Sequence, residues 1–355
     1  MNHLERIIVK NSLIYQEGQI TITVGQTFDG SVVALLKKTT YGTKGPKYQH
    51  TGQKVKLEDI KNPLFFTLRK QEETIGFYCL CEREIGVGTG KYLGYYGRYL
   101  AVDENCQGNG YGKLLKKVAI EYVETNYKSP SILYSYIEEN NTKSLIISQK
   151  IGFISITTLG TIIFSRLYPK ADYRVARIGL QELSELLEKL ELQNAHTILR
   201  TFENINYQNN YFVLKENGKI VAGLQANPAR WKIIEMEGFG GKILLKVLPY
   251  IPILKRLINP EKYEFLAIEG IFLETYSNEY LYPLIEGVLH HFSMTSALFE
   301  LDSKSQILNL FNERGHLGLL NAIKKEVKTH VMTKSFNNEL PISNGEAYVS
   351  SFDFT

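Results

Sequence analysis

A glycine-rich turn, Gln107-Gly108-Asn109-Gly110-Tyr111-Gly112, separates an apolar strand from an amphipathic helix. The strand is Tyr99–Val102, and the helix begins at Lys113. Because glycine has no Cβ, glycines at alternate positions allow several backbone N–H groups to approach one anion. The N-terminus of the following helix adds N–H donors and a partial positive charge. The turn therefore predicts a site for a phosphate or a pyrophosphate.

The spacing of the glycines argues against two common nucleotide sites. A Walker loop requires Gly-x4-Gly-Lys-Ser/Thr, but Lys113 is followed by Leu114, so no hydroxyl is placed for magnesium. The dinucleotide fingerprint requires two residues between its second and third glycines. Only Tyr111 separates Gly110 from Gly112. Neither nucleotide motif fits this turn.

The turn resembles the pyrophosphate loop of the GNAT superfamily of N-acetyltransferases, whose pattern is Gln/Arg-x-x-Gly-x-Gly/Ala. Gln107, Gly110 and Gly112 occupy its three specified positions, and Ala101-Val102-Asp103 matches the strand end that precedes it. The alternative for the loop alone is an ordinary tight turn between a strand and a helix.

A second match follows downstream. The superfamily has a strand, then Asn-x-x-Ala/Ser, a short helix and Gly-Phe. Here Ile132–Ile137 is the strand, Asn141 and Ser144 open the helix, and Gly152-Phe153 follow it. An N-capped helix with a glycine C-cap is the alternative. Two motifs in the correct order identify roughly residues 60–168 as similar to this superfamily.

The resemblance implies an α/β fold with the mixed sheet of GNAT acyl-CoA N-acyltransferases, arranged in tandem in a chain of this length. It also implies acetyl-CoA as co-substrate, without a metal. In the superfamily the fourth strand, here Tyr92–Val102, splays from its neighbour and pairs with the pantetheine amides. Gly94 and Gly97 fit a bulge there. The cofactor-binding residues implied are Leu100, Ala101, Val102, Gln107, Gly108, Asn109, Gly110, Tyr111, Gly112, Lys113, Asn141 and Ser144.

Composition limits the class of protein. A chain of 355 residues favours two domains, and 44% hydrophobic with 22% charged residues is typical of a globular protein. A net charge of +4 is too small to indicate nucleic acid. Cys79, Cys81 and Cys106 have no metal-site spacing, and we expect Cys79 and Cys81, on one face of a strand, to pack in the core rather than to carry redox chemistry. With no signal-peptide core and no apolar run of about 18 residues, we expect a cytoplasmic protein without a membrane partner.

The second half of the chain echoes the first, which predicts a GNAT domain over 1–168 and a degenerate, GNAT-like α/β domain over 169–355. An unrelated α/β domain is the alternative. The turn Glu274–Asn278 has no glycine, so the second copy is not expected to bind CoA. Strands are predicted at Gln19–Val24, Leu64–Leu68, Thr74–Cys81, Tyr92–Val102, Ser155–Phe164, Tyr211–Lys215, Ile220–Gln225, Leu266–Leu273 and Ala297–Leu301. Helices are predicted at Ser31–Lys38, Val55–Ile60, Ala176–Leu192, Glu279–Phe292 and Ser305–Glu313.

The catalytic groups depart from the superfamily pattern. Its tyrosine acid sits four residues before the glycine of Gly-Phe, where this chain has Ser148, expected on the helix surface. The fourth strand carries no acid between Tyr92 and Val102. The candidate catalytic residues are Tyr96, Tyr136 and Glu82, against aromatic packing for the tyrosines and a solvated strand end for Glu82.

The acceptor would lie across the sheet from CoA, beside aromatic and acidic groups such as Trp231, Glu235, Glu237, Tyr263 and Glu269. Ile243–Ile258 is a pocket lid or core. The leading hypothesis is an acetyl-CoA-dependent N-acetyltransferase acting on a small-molecule or peptide amine, as a monomer or homodimer. The alternatives are a CoA-binding sensor or scaffold without transfer activity, and a transferase of longer acyl groups, for which Gly94 and Gly97 leave room.

Overall fold

The strands of one mixed sheet run through the whole protein. The computed structural model describes residues 11–43, 45–236, 245, 250–336 and 345–355. In chain order the strands are β1 (Ser12–Glu17), β2 (Ile20–Gly25), β3 (Pro46–His50), β4 (Pro63–Lys70), β5 (Glu73–Val87), β6 (Gly90–Val102), β7 (Ser131–Glu138), β8 (Ile154–Ser165), β9 (Val175–Arg177), β10 (Ile198–Arg200), β11 (Tyr211–Glu216), β12 (Lys219–Met236), β13 (Tyr263–Leu273), β14 (Ser296–Asp302) and β15 (Lys328–Phe336). The helices are α1 (Gly30–Lys38), α2 (Gln53–Glu58), α3 (Tyr111–Asn126), α4 (Thr142–Lys150), α5 (Leu183–Gln193), α6 (Pro252–Leu257), α7 (Asn278–His291), α8 (Gln306–Arg314) and α9 (Leu319–Ile323).

The two halves of the chain repeat one order of elements. The first half runs β4-β5-β6-α3-β7-α4-β8, and the second runs β11-β12-β13-α7-β14-α8-β15, with α6 added before β13 and α9 before β15. Within each half one pair of strands is parallel: β6 with β7, and β13 with β14. The mixed sheet and its tandem arrangement agree with the predicted fold class. The division between residues 168 and 169 remains a prediction.

The halves exchange their last strands. β15 of the second half lies between β7 and β8 of the first, and β8 pairs with β14 of the second half. Tyr134 opposes Thr333, and Phe164 opposes Ala297. The hydrogen bonds of each half are therefore completed by the other, which makes the sheet continuous from β1 to β9.

Helix α3 shows how the sequence pattern becomes packing. Its buried residues Leu115, Val118, Ala119 and Val123 recur at helical spacing and face the sheet. The helix begins after Gly110, whose positive φ of +80° is available to glycine without strain. Each fully buried aliphatic side chain contributes about 1.5–3 kcal/mol relative to its exposed state, so this face fixes the helix on the sheet.

Several predicted elements are confirmed and one is partly wrong. The predicted helix Ala176–Leu192 begins instead with the edge strand β9, which pairs with β11. Gly179 interrupts it, and the Glu182 carboxylate accepts a hydrogen bond from the Gly179 N–H, so a short turn at Leu180–Glu182 precedes α5. Strands β1, β3, β10 and β15 were not predicted. Of the predicted segment Ile243–Ile258, the structure describes residue 245 and residues 250–258, which include α6, and the others lie outside the described residues.

The cysteines pack as predicted. Cys79 and Cys81 are buried on β5, and their Sγ atoms lie 3.8 Å apart without a disulfide. Among the described residues, no helix combines the length and hydrophobicity needed to cross a bilayer. The same part of the chain contains no group of His, Cys, Asp and Glu side chains arranged to hold a metal ion.

Candidate active site

Strands β6 and β7 pair over a short stretch and then separate. Parallel pairing runs from Leu93 opposite Ser131 to Tyr96 opposite Tyr134, where it stops. Just beyond, Tyr99 has a φ of +56°, and the register against β5 shifts between Phe77 and Cys79. Two residues of β6 therefore face one of β5, which is a β-bulge that bends the strand away from β7. The separation leaves a slot between Gly97–Val102 and Ser135–Glu138.

Side chains of β5 pack against two glycines of β6, Gly94 and Gly97, and Gly97 also lines the cavity described below. A Cβ on Gly97 would lie 2.1 Å from Oη of Tyr78, and one on Gly94 would lie 2.8 Å from Cγ2 of Ile85. Both positions are already filled by these side chains. In this conformation the space that Gly94 and Gly97 offer is occupied, so a longer acyl group would have to displace Ile85 or Tyr78.

A cavity of about 350 Å³, here called the slot cavity, passes between the two strands. Lys116, Asn141 and Ser144 line it on the side of α3 and α4. Tyr48, His50 and Asp353 are among the residues that line its other side. A substrate in the slot can thus be approached from the opposite face of the sheet.

The glycine-rich loop lies beyond the end of β6. Gly108 and Gly110 have φ values of +86° and +80°, and a Cβ on either would meet nothing within 4 Å. The first N–H groups of α3 have no partner inside the helix and carry the positive end of its dipole. The Gln107 amide nitrogen, Nε2, donates to the Val102 carbonyl at 3.2 Å, which ties the loop to β6. The open space in front of these donors suits an anion.

The implied cofactor-binding residues fall into two groups. Leu100, Asn141 and Ser144 line the slot cavity. The Asn141 side chain caps α4 by accepting a hydrogen bond from the Ser144 N–H at 3.2 Å. Ala101 and Val102 continue β6 from the cavity, and Gln107, Gly108, Asn109, Gly110, Tyr111, Gly112 and Lys113 form the loop and the first residues of α3.

Two of the three candidate catalytic residues line the slot cavity. Tyr96 and Tyr136 pack with ring centroids 5.2 Å apart, and burial raises the pKa of both hydroxyls well above the ordinary value. The Tyr96 hydroxyl donates to the Asp353 backbone carbonyl at 3.1 Å. Glu82 lies apart: it accepts from the Tyr95 hydroxyl at 3.3 Å, and successive residues of β6 face opposite sides of the sheet. The described residues lining the slot cavity do not include Glu82.

Ser148, at the position of the superfamily's tyrosine, is fully buried rather than on the helix surface as predicted. It accepts a hydrogen bond from Lys116 Nζ at 2.7 Å and donates to the Ser144 carbonyl at 2.8 Å. Lys116 is itself buried, and its Nζ lies 4.4 Å from the centroid of the Phe153 ring. Burial lowers the pKa of Lys116 to about 7. The sequence signal was a lysine at an otherwise apolar position of α3.

A second cavity, here called the apolar cavity, lies beside the first and has a volume of about 390 Å³. Trp231 forms part of its wall, stacked on Tyr48 with centroids 3.8 Å apart and ring planes at 12°. The apolar cavity and the slot cavity share lining residues Tyr48, Glu138, Glu300 and Thr329. The two cavities therefore meet.

The residues predicted around the acceptor are only partly brought together. Trp231 and Tyr263 line the apolar cavity. Glu235 forms an ion pair of 2.7 Å with Lys47. Glu269 is buried in the second half, where it accepts from Ser351 Oγ at 3.0 Å, and burial raises its pKa to about 7. Glu237 lies outside the described residues.

The acids at the junction of the cavities, Glu138 and Glu300, were not predicted. Glu138 accepts from the Thr43 N–H at 2.8 Å, and Glu300 accepts from Thr161 Oγ1 at 2.6 Å. Burial raises the pKa of Glu300 to about 7, and the negative charge of Glu138 adds to the effect. Glu300 comes from the second half, so a search along the first half's strands could not find it.

The corresponding slot of the second half is nearly filled. Gly270 on β13 has a φ of +56°, as Tyr99 has on β6, but the cavity there is only about 60 Å³. Residues 346–349 line it, and the Ala347 N–H donates to Asp302 Oδ2 at 2.9 Å. The segment 345–355 continues to the slot cavity, where Arg83 and Asp353 form a buried ion pair of 2.8 Å.

Comparison with known proteins agrees with this geometry. Residues 32–153 match the Acetyltransferase (GNAT) family. The fold is similar to Saccharomyces cerevisiae N-myristoyltransferase with bound myristoyl-CoA, at 9% identity, 96% coverage of this chain, 91% of that chain and a TM-score of 0.61. A second structure of that protein, with bound myristoyl-CoA and inhibitors, has 10% sequence identity and a TM-score of 0.60. The match covers 97% of this chain and 86% of that chain. A GCN5-related N-acetyltransferase from Sphaerobacter thermophilus has 13% sequence identity and a TM-score of 0.47. The match covers 78% of this chain and 82% of that chain. No curated protein matches the chain in sequence.

Proposed function

Residues 32–153 are a domain of the GNAT acetyltransferase family, and from this premise we propose that the protein transfers an acetyl group from acetyl-CoA to an amine. The observation that carries the proposal is the separation of β6 from β7 beyond Tyr96 and Tyr134. It leaves a slot with an anion-binding loop at one end and a second cavity at the other. An acyl-CoA fits this order of parts, with its pyrophosphate at the loop and its thioester in the slot cavity.

The chain's own residues divide the work of binding. The amides of the loop Gly108–Gly112 hold the pyrophosphate, and the backbone of Leu100–Val102 pairs with the pantetheine as an added strand would. Backbone N–H groups left free where β6 leaves β7 face the thioester carbonyl and stabilise the oxyanion formed on attack. Asn141 and Ser144 fix the start of α4 at the side of the slot.

The transfer step requires two protons to be moved. A neutral amine attacks the carbonyl carbon, the new C–N bond forms, and the C–S bond breaks with its electron pair on sulfur. Tyr136, which stays protonated because burial raises its pKa, donates a hydrogen bond in the slot. The protonated Lys116, supported by Ser148, supplies a proton to the thiolate. The nitrogen releases one proton to a base, which balances the proton that Lys116 gives up, so a neutral amine and acetyl-CoA yield the amide and the CoA thiol.

The filled side of β6 supports acetyl as the acyl group. Tyr78 occupies the space beside Gly97, and its hydroxyl would lie within 2.1 Å of any Cβ there. Tyr96 and Tyr136 occupy the other side of the strands. A short acyl group fits between these side chains without displacing them, whereas a long chain requires one of them to move.

Thiol release from acetyl-, butyryl-, octanoyl- and myristoyl-CoA, measured with a panel of amines, tests the proposal. We expect release with acetyl-CoA, a matching acetylated amine by mass spectrometry, and a rate that falls as the acyl chain lengthens. Tight CoA binding by calorimetry without release from any donor contradicts transfer and favours the alternative of a CoA-binding sensor. Preference for octanoyl- or myristoyl-CoA contradicts the acetyl assignment alone.

The same calorimetry tests the proposal that the second half binds no CoA. Its slot of about 60 Å³ is lined by residues 346–349, and no glycine lies in the turn Glu274–Asn278. We expect one CoA per chain. A second binding event that persists when the first loop is blocked contradicts this part of the proposal.

A further inference from the structure

We propose that the acceptor is a primary amine on an apolar, ring-sized body, bound with its ammonium against Glu300 and its body in the apolar cavity. This inference rests on the proposed function, because it names the second substrate of that reaction. Four observations support it: the chemistry of the apolar cavity, its connection to the slot, the state of the Glu300 carboxylate, and the face of the sheet on which these groups lie.

The wall of the apolar cavity is chiefly hydrocarbon and aromatic. Trp231 lies against Tyr48 on one side and packs edge-on against Phe265, at a centroid distance of 4.6 Å. The other apolar side chains of the wall are Ile163, Ile233, Met236, Ile258, Tyr263, Leu298, Leu320, Ile323 and Val327. Such a wall gains affinity by removing apolar surface from water, so it favours an aromatic or branched aliphatic body over a polar one.

The connection to the slot lies on one face of the sheet. Tyr136 and Glu138 are two residues apart on β7, so their side chains lie on the same face of the sheet. Glu138 opposes Thr329 on β15. Thr161 on β8 opposes Glu300 on β14, on the same face. Glu138, Thr329 and Glu300 line both cavities. An amine at this junction therefore faces the slot while its body remains in the apolar cavity.

The Glu300 carboxylate has one oxygen in use and one without a partner. Oε1 accepts from Thr161 Oγ1 at 2.6 Å. Oε2 is inaccessible to solvent and has no hydrogen-bond partner among the described residues. The neighbouring charged groups are Glu138 and Lys324, and the Tyr48 hydroxyl also interacts with it. A buried acceptor without a donor is unfavourable, and an ammonium N–H at this position corrects it.

Glu300 has a protonation range suited to this role. Burial raises its pKa to about 7, so near neutral pH the carboxylate accepts a proton readily and returns it to solvent readily. The bound ammonium gives one proton to Glu300 and becomes the neutral amine that attacks the thioester carbon. After the C–N bond forms and the C–S bond breaks, the nitrogen loses the one proton that the amide does not keep, and the thiolate gains a proton.

The fluorescence of Trp231 gives a measure of binding that does not require turnover. It is the one tryptophan of the chain, so its emission reports on the apolar cavity directly. We expect 2-phenylethylamine to change this emission saturably at about pH 8, where Glu300 is ionised and the amine is still charged. We expect 2-phenylethanol, which has the same body and no charge, to bind about tenfold or more weakly, because it lacks the charge-assisted hydrogen bond. Ethanolamine, which has no apolar body, should leave the emission unchanged.

Glu300→Gln is the decisive variant, because it keeps the shape and the acceptor for Thr161 and removes the charge. We expect it to lose most of the tenfold preference for the amine over the alcohol while 2-phenylethanol binds as before. Glu188→Gln, an exposed glutamate on α5, is the matched control and should keep the full preference. An unchanged preference in Glu300→Gln overturns the role of Glu300, and a Trp231 response equal for ethanolamine and 2-phenylethylamine overturns the apolar cavity as the acceptor site.

The failure of this inference is distinguishable from the failure of the proposed function. Acetylation of ethanolamine or a polyamine at high rate, without a Trp231 response to any aryl amine, keeps the transferase and removes the acceptor class. A Trp231 response to 2-phenylethylamine with no acetylated product keeps the amine site and removes the transfer reaction.

Discussion

Lys116 Nζ lies 2.7 Å from Ser148 Oγ, which joins a buried amine on α3 to the position where the superfamily has a tyrosine. The Ser148 hydroxyl donates its hydrogen bond to the Ser144 carbonyl, so its oxygen is available to accept a hydrogen bond from the lysine. Because Lys116 lines the slot cavity, the pair can supply a proton to the CoA thiolate in the transfer reaction that we propose. An amine and a hydroxyl thus stand where a phenol is expected.

Lys116→Met should slow transfer without weakening the fold. The variant keeps the volume of the side chain, and loss of a general acid costs about 10²-fold or more in kcat. Replacing a buried cation by an apolar group is neutral or stabilising. Steady-state thiol release and thermal unfolding measure the two effects. Lys117→Met, an exposed neighbour paired with Glu121, is the control and should change neither.

The stabilisation by Lys116→Met should depend on pH in a definite sense. Burial lowers the pKa of Lys116 in the folded state to about 7, below its unfolded value. Below about pH 7 both states hold the proton and the full cost of burying the charge applies, whereas this cost declines as pH rises from about 7 to 10. The variant should therefore gain the most stability below pH 7. A gain that increases with pH contradicts a buried, cationic Lys116.

Gly110→Glu should abolish CoA binding while the protein stays folded. Its φ of +80° costs a non-glycine residue about 1 kcal/mol, and the added carboxylate repels the pyrophosphate. Gly218→Glu is the matched control, because Gly218 has a φ of +76° with open space around it, in the hairpin between β11 and β12. Calorimetry should show affinity lost only in Gly110→Glu. Equal affinities in the two variants mean that the loop does not hold the pyrophosphate.

Tyr78→Ala should change the preference among acyl donors. Removal of the ring opens the space beside Gly97 that Tyr78 now fills. We expect the ratio of kcat/KM for butyryl-CoA to that for acetyl-CoA to increase about tenfold, since each added methylene gains burial of about 0.8 kcal/mol. Ile85→Ala, which opens the space beside Gly94 instead, should change this ratio less because β6 is still paired with β7 there. A ratio that stays at the wild-type value places the acyl group elsewhere.

Local patterns were sufficient for the parts of the site that lie within one strand–turn–helix unit. The loop at Gly110 and the cap at Asn141 follow from glycine positions and side-chain caps, whereas the divergence of β6 from β7 was implied by the resemblance to the superfamily. The bulge was expected at glycines but falls on Tyr99, because the constraint is the register with β5 rather than the residue's own preference.

Long-range pairing was not accessible from the sequence. Strand β15 reads like any amphipathic strand, and nothing local indicates that it pairs with β7 and β8 of the other half. Glu300 reaches the slot cavity only through that exchange of strands, so its position there could not be predicted from the sequence either. Ser148 was misplaced because helix periodicity gives the direction of a side chain but not whether a buried partner such as Lys116 meets it.

The buried pair of Arg83 and Asp353 should hold the segment 345–355 against the slot cavity. Arg83 Nη2 lies 2.8 Å from Asp353 Oδ1, and neither side chain is more than 2% exposed. Asp353→Asn leaves a buried guanidinium short of negative charge, with Glu203 at 3.3 Å as its remaining acidic partner, so we expect a loss of about 3 kcal/mol in the free energy of unfolding. Chemical denaturation measures this loss.

The control is Glu84→Gln, which breaks the pair of Glu84 and Lys91, whose side chains are both more than 60% exposed. It should cost less than about 1 kcal/mol, because solvent screens an exposed pair. The double variant Arg83→Met/Asp353→Leu removes both buried charges and should recover most of the stability lost in Asp353→Asn. The double variant also removes the Arg83 cation, which lies 5.1 Å from the centroid of the Tyr96 ring. A double variant that is stable but slow in transfer assigns the pair to the site, whereas one that is stable and fully active assigns it to holding the segment alone.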